Sequence, residues 1–194
     1  MGKKNIEQRL SVDELESELR RERYRSRYNS VLRSTIYTLI TVAAAAVLVA
    51  TLWLPVLKIY GNSMTPTLND GDIIFSVKTS EMRKGDVVAF YYNNKILVKR
   101  VIAGPGDWVD IDKAGNVSVN GTQLDEPYVS EKALGATNID LPYQVPDGKF
   151  FVIGDHRETS VDSRNTAVGC ISQEQMVGRL VFRILPFGEI GSLS

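Results

Sequence analysis

One histidine and one cysteine, His156 and Cys170, occur in the 194 residues. A single cysteine excludes an intrachain disulfide and is silent on redox compartment. Such a residue is more often a small buried hydrophobe than a reactive thiol. One histidine and no zinc or haem spacing argue against the usual metal sites, so no metal and no cofactor is expected. A Ser-His-Asp triad would have to rest on His156 alone. Charge of one sign is also lacking, since 23 basic residues balance 23 acidic ones, and no nucleic-acid partner is expected. The chain has no internal repeat and no low-complexity linker. Its length suffices for one sizeable core with appendages.

The overall balance hides an asymmetry. Residues 1–33 carry 9 Lys/Arg against 6 Asp/Glu, a net of +3, which leaves 14 against 17, a net of −3, for the remainder. Arg20, Arg21, Arg23, Arg25, Arg27 and Arg33 crowd the end of this segment. Residues 1–10 are polar and expected to fray. Ser11-Val12-Asp13-Glu14 has the form of a capping box, and acids then precede arginines, the order a helix dipole favours. From Ile36 to Leu57 there is no charged residue, a length that suits a bilayer-spanning helix. Tyr37 and Trp53 stand near its ends, where amphipathic rings prefer the interface, and Pro55 predicts a stop or kink. A cleavable signal peptide would have a shorter basic region and a shorter apolar core. The reading is an uncleaved, single-pass anchor in the plasma membrane, with the arginine side in the cytoplasm. The expected organisation is a partly helical cytoplasmic segment over 1–33, an anchor over 34–57 and an extracytoplasmic domain over 58–194.

Beyond Leu57 short apolar runs alternate with turns. Ile73–Val77, Val87–Tyr92 and Lys95–Ile102 read as a hairpin series with Asn, Asp and Gly at the turns. Trp108–Ile111 and Asn116–Val119 are short strands, and Asn120-Gly121 is a tight-turn pair. Residues 125–148, with Pro127, Pro142 and Pro146, read as an irregular loop or small insertion. Phe150–Ile153 and Val177–Ile184 complete a mainly β domain of hairpins and coiled sheets behind one transmembrane helix.

Three stretches carry candidate chemistry. In Gly61-Asn62-Ser63-Met64-Thr65-Pro66-Thr67-Leu68, Ser63 lacks the second glycine of a nucleophile elbow; by itself it reads first as a turn serine. Lys99 lies in an otherwise apolar strand, where lysine is rarely buried unpaired. Either Lys99 or Arg100 faces solvent, because adjacent strand residues point opposite ways, or Lys99 is desolvated. A desolvated lysine substantially neutral near pH 7 needs a pKa lowered by about three units, roughly 4 kcal/mol, within the range burial supplies. Its amine could then take the Ser63 proton. The third stretch, Gly154-Asp155-His156-Arg157-Glu158-Thr159-Ser160-Val161-Asp162-Ser163-Arg164, reads either as a polar loop or as a scaffold, with Asp162 and Arg164 paired and Ser160 aiming the lysine.

Together these stretches resemble the boxes of the bacterial type I signal peptidases, membrane-anchored Ser/Lys proteases. Ser63-Met64-Thr65-Pro66-Thr67-Leu68 is similar to the family's nucleophile box. Lys99-Arg100-Val101-Ile102, followed by Gly104-Pro105-Gly106-Asp107, is similar to its Lys-Arg box. Residues 154–164 are similar to its third box, and the similarity covers most of residues 55–190. The resemblance implies Ser63 as nucleophile, Lys99 as general base, Ser160 as orienter of Lys99, and Asp162 with Arg164 as a supporting ion pair. Met64 would wall the site, and Arg100, Gly154 and Asp155 would support it. The Ser63 N–H would donate to the oxyanion. His156, Glu158 and Thr159 depart from the family's usual Asn, Asp and Asn. Gly61 stands where some members carry a hydroxyl donor, so a second oxyanion donor has to come from elsewhere.

The implied function is removal of signal peptides from exported preproteins after an Ala-x-Ala-like site, through an acyl-enzyme. The partners are preprotein signal peptides and a phospholipid membrane, and the protein is expected to be a monomer. The substrate would add as a strand, with residues near Asp70–Val77 and Ile96–Val98 as candidate edges. Alternatives are a relative dedicated to one substrate such as a pilin subunit, a self-cleaving repressor, and an inactive membrane-anchored signal-peptide-binding protein. The anchor and the lack of a DNA-binding helix pair oppose the repressor; retention of both Ser63 and Lys99 opposes the inactive protein.

Overall fold

Among the described residues, a helix of 42 residues, α1 (Val12–Trp53), is followed by twelve strands. The computed structural model describes residues 12–53, 56–79 and 81–193, with α1 side chains from Glu16 to Val49. The capping box at Ser11, the segment 1–10 and Pro55 lie outside the described residues. Two compact units divide near residue 50.

In the first unit, α1 runs without a break from charged to uncharged sequence. Glu16 and Arg20, one turn apart, form an exposed ion pair at 3.5 Å. Further along, the hydroxyls of Thr35, Thr38 and Thr41 donate to carbonyls four residues back at 2.9 Å, which satisfies them without water. The stretch Glu16–Val49 contains a segment long and apolar enough to cross a membrane. The described helix runs to Trp53, and Val56–Lys58 is a strand, although the apolar run continues to Leu57. Val56 and Leu57 suit a strand as well as a bilayer, and here they pair with Phe75 and Ile74.

Beyond the end of α1, the regular structure described in the second unit is β-strand with two short 3-10 turns. Its strands are β1 (Val56–Lys58), β2 (Ile73–Val77), β3 (Val87–Tyr92), β4 (Lys95–Ala103), β5 (Trp108–Ile111), β6 (Val117–Val119), β7 (Thr122–Gln123), β8 (Tyr143–Gln144), β9 (Lys149–Ile153), β10 (Ile171–Ser172), β11 (Met176–Leu185) and β12 (Gly191–Ser192). A large sheet has the order β1-β2-β11-β3-β4-β9-β10, with β12 also on β11, and a small one the order β7-β6-β5-β8. Every pair is antiparallel. Asn120 and Gly121 both take positive φ, 53° and 77°, the backbone a two-residue hairpin turn demands. The segment 125–148 is mostly irregular, as expected, but includes β8, which adds an edge to the small sheet.

Two of the core clusters position the site. Ile59, Met64, Leu68, Ile74, Val87, Ala89 and Leu180 pack beneath the chain around Ser63. Ile102, Val109, Ile111, Val117, Phe151 and Ile153 join the small sheet to β4 and β9. β4 is shared between the two: its C-terminal half pairs β9 from Arg100 onward, while Lys95–Val98 pair β3 alone.

Candidate active site

Ser63 opens a turn that the hydrophobic effect holds down. Met64 and Leu68 are four residues apart, so they project from one side of a helical turn. Both are buried in the cluster of Ile59, Ile74 and Leu180. Leu68 N–H donates to the Met64 carbonyl at 2.9 Å, and Thr65 N–H to that of Asn62 at 3.1 Å. Ahead of the serine, Gly61 N–H donates to Asp70 Oδ1 at 2.7 Å. Packing thus fixes Met64 and leaves Ser63 half-buried beside it.

Lys99 arrives from β4. Its Nζ lies 2.6 Å from Ser63 Oγ. Lys99 and Arg100 are 3 % and 2 % exposed, so neither of the two opposite directions from β4 leads to solvent. Burial lowers the Lys99 pKa from 10.5 to about 8, against the pull of Asp162 and Asp155 and with help from Arg164. Two and a half units correspond to about 3 kcal/mol favouring the neutral amine. That is less than full neutrality at pH 7 requires, and it leaves about a tenth of the molecules with a free amine there.

Arg100 turns to Asp155, donating through Nε at 2.9 Å and Nη2 at 2.7 Å. It also stacks on the Tyr128 ring, 3.9 Å from the centroid. Asp162 and Arg164 form a buried two-pronged pair, with bonds of 2.8 and 2.9 Å. Asp162 Oδ2 further accepts from Gly154 N–H at 3.0 Å. Gly154 is required by close approach: a Cβ there would stand 2.2 Å from Ser160 Oγ and 2.5 Å from the Ser63 carbonyl oxygen. That carbonyl accepts from His156 N–H at 3.2 Å, so the 154–164 loop grips the serine by its backbone.

Two expectations are corrected. Ser160 does not hydrogen-bond Lys99; its buried hydroxyl has no partner among the described residues and is wedged against Gly154. The strand Ile73–Val77 is not a free edge, because β1 and β11 flank it. Among the described residues, the free edges beside Ser63 are β1, at one end of the large sheet, and Lys95–Val98 of β4. They border a cavity of about 520 Å³ with Leu57, Ile59, Leu97 and Val98 on its walls and Ser63, Met64 and Lys99 within reach. The His156 ring meets Thr159 Oγ1 at 2.9 Å, and it is Lys99 that meets the Ser63 hydroxyl. Among the described residues no three His, Cys, Asp or Glu side chains gather as metal ligands.

Sequence reasoning passed over four members of this network. Thr67 donates to Asp155 Oδ2 at 2.5 Å. Arg157 is buried on Glu126, with Nη2 2.6 Å from Oε1, and Tyr128 lies under Arg100. Glu126 and Tyr128 flank a proline in an irregular segment about 30 residues from their partners, so no local pattern marks them. Thr67 could have been found as a small polar residue in the serine turn.

Comparison with known proteins gives the geometry its context. A family model described as signal peptidase, peptidase S26, matches residues 32–185. A signal peptidase I of Bacillus licheniformis is 39 % identical over 165 residues, 78 % of this chain and 87 % of that protein. Signal peptidase IB of Staphylococcus aureus is 42 % identical over 151 residues, 68 % of this chain and 78 % of that one. A crystal structure of a signal peptidase I from Enterococcus faecalis V583 aligns with a TM-score of 0.42 at 28 % identity, covering 52 % of this chain and 97 % of that one. With a family match across both the serine turn and the lysine strand, and relatives near 40 % identity over most of their length, the chain belongs to the signal peptidases of peptidase family S26, which are serine endopeptidases.

Proposed function

We propose that the protein removes signal peptides from exported preproteins, with Ser63 as nucleophile and Lys99 as general base. The observation that carries this reading is the 2.6 Å approach of Lys99 Nζ to Ser63 Oγ, made by a lysine whose burial favours the neutral amine. The neutral amine accepts the hydroxyl proton as Oγ attacks the scissile carbonyl. The tetrahedral oxyanion is met by the Ser63 N–H. Collapse breaks the C–N bond, the lysine ammonium returns its proton to the leaving amine, and an ester to Ser63 remains. Water, deprotonated by the same amine, attacks that ester; the acyl–Oγ bond breaks, the lysine ammonium returns the proton to Ser63 Oγ, and the signal peptide leaves with a free carboxylate. Asp162 and Arg164, held as a pair, keep the 154–164 loop against the serine.

An extended substrate fits between the two free edges, where backbone hydrogen bonds supply affinity and sequence tolerance. Apolar walls suit small side chains before the cut, the Ala-x-Ala pattern of signal peptides. On the outer face of the sheet, Val56, Phe75 and Phe182 stand side by side. Val56 and Phe182 are exposed, and this face suits contact with lipid. Arginines before the apolar part of α1 favour an orientation with the N-terminal side in the cytoplasm and residues 58–194 outside.

The test is cleavage of a preprotein with an Ala-x-Ala site by the full chain in detergent with phospholipid. Mass spectrometry should locate the cut after the second alanine, and Ser63→Ala and Lys99→Ala should each abolish it. A wild type that binds the peptide without cutting would make this a binding protein. Activity that survives Lys99→Ala but not His156→Ala would overturn the choice of base.

A further inference from the structure

Arg183, on β11, takes no part in the chemistry above, yet it reaches the serine turn. It is a buried cation, 8 % exposed, and its guanidinium faces three groups. Nη2 donates to the main-chain carbonyl of Thr67, and Nη1 to the Glu189 carboxylate. Nε lies 3.2 Å from Asp72 Oδ2, an ion-pair contact not aligned as a hydrogen bond. Two carboxylates already neutralise the guanidinium. Taking a neutral carbonyl as well spends a rigid, directional donor on fixing a piece of backbone.

That piece of backbone is fixed a second time. The Thr67 hydroxyl donates to Asp155 Oδ2 and accepts from Arg100 Nη2 at 3.2 Å. Asp155 precedes His156, whose N–H holds the Ser63 carbonyl. Asp72 Oδ2 also accepts from Asn69 N–H at 3.0 Å, just past the turn. Thr67 follows Ser63 by four residues, inside the turn closed by Leu68 and Met64. The turn is thereby gripped at its start through His156 and at its end through Arg183.

We infer that Arg183 is a positioning residue for Ser63: fixed by Asp72 and Glu189, it holds the Thr67 carbonyl and so the turn that presents the serine to Lys99. The inference rests on the reading of Ser63 as nucleophile. Its signature is a loss of turnover without a loss of substrate binding, because the groove edges, β1 and Lys95–Val98, lie elsewhere. A displacement on the order of an ångström at a nucleophile can cost about a hundredfold in rate.

The experiment compares wild type, Arg183→Met, Arg183→Lys and Glu189→Gln as full chains in phospholipid–detergent micelles. Rates on the Ala-x-Ala preprotein are taken over substrate concentration and pH, well below each variant's melting temperature, with backbone amide exchange in parallel. Arg183→Met should lower kcat by about 10- to 100-fold, with KM within about twofold and the midpoint of the pH profile unmoved. Amides of Thr65 and Leu68 should exchange faster while those of Gly85 and Val101 do not. Arg183→Lys should recover part of the rate. Undisturbed kcat, or faster exchange throughout the domain, overturns the proposal. If Arg183→Met does not fold, Glu189→Gln decides alone, since that carboxylate is half exposed: unchanged kcat with unchanged turn exchange sinks the idea. A wild type that fails to cleave defeats the Ser63 reading instead, and turn exchange still decides whether Arg183 holds the turn.

Discussion

Lys99 works against the fold that contains it. Its pKa is lowered from 10.5 to about 8, first by burial. Between those values the unfolded chain binds a proton that the folded chain does not, so this group makes stability rise with pH across that window. Below about pH 8 the lysine is charged in both states, and the folded state carries the full cost of a buried ammonium, about 3 kcal/mol. Lys99→Met should therefore be inactive yet more stable at pH 7, by up to about 3 kcal/mol, with the gain shrinking between pH 8 and 10.5. Tyr128 and Tyr143, whose pKa values are raised, contribute with the opposite slope, so the comparison is the difference between variant and wild type in denaturant melts. With Lys99 as the proposed base, the same titration would govern rate: kcat/KM should climb about tenfold per unit below pH 8 and level off above about pH 9. A flat profile from pH 6 to 9 would show that proton transfer from Ser63 does not depend on this amine.

At the scale of elements, the loop from Gly154 to Arg164 is held by buried ion pairs rather than by apolar packing. Arg100–Asp155, Arg157–Glu126 and Arg164–Asp162 all have side chains no more than 2 % exposed. Such pairs are weak sources of stability but severe to break singly, because the surviving charge is stranded. Glu126→Gln should destabilise the domain by about 3–5 kcal/mol, and Glu126→Gln with Arg157→Met should regain most of that loss. Equal losses in the single and double variants, measured by thermal melting in detergent, would contradict the pairing. These pairs also mark what the sequence could disclose. Asp162 and Arg164 stand two apart in one polar loop, and Ile73–Val77, Val87–Tyr92 and Trp108–Ile111 are bounded by turn residues, so all of these are legible locally. Glu126 reaches Arg157 across 31 positions, β8 is two residues between prolines, and β1 hides inside an apolar run. Each depends on a distant partner strand or charge that no local pattern encodes.

At the scale of the whole chain, one polypeptide carries a helix able to span a bilayer and a groove with two free strand edges. A signal peptide is itself an apolar helix-former that enters the same bilayer. Holding both in one membrane turns an encounter in three dimensions into one within a thin layer, with effective concentrations that reach the millimolar range. If the substrate lies between these edges as proposed, the groove needs only modest intrinsic affinity, which suits edges that would bind backbone and tolerate many sequences. For a preprotein with its full signal peptide, kcat/KM in phospholipid micelles should exceed that of a soluble peptide bearing the same Ala-x-Ala site by about 10²- to 10⁴-fold. Adding detergent and lipid at fixed protein should dilute the advantage in inverse proportion to micelle volume, while the soluble peptide's rate stays constant. Equal rates for the two substrates, or the same dilution response in both, would mean that recognition lies in the groove alone and that α1 only fixes location.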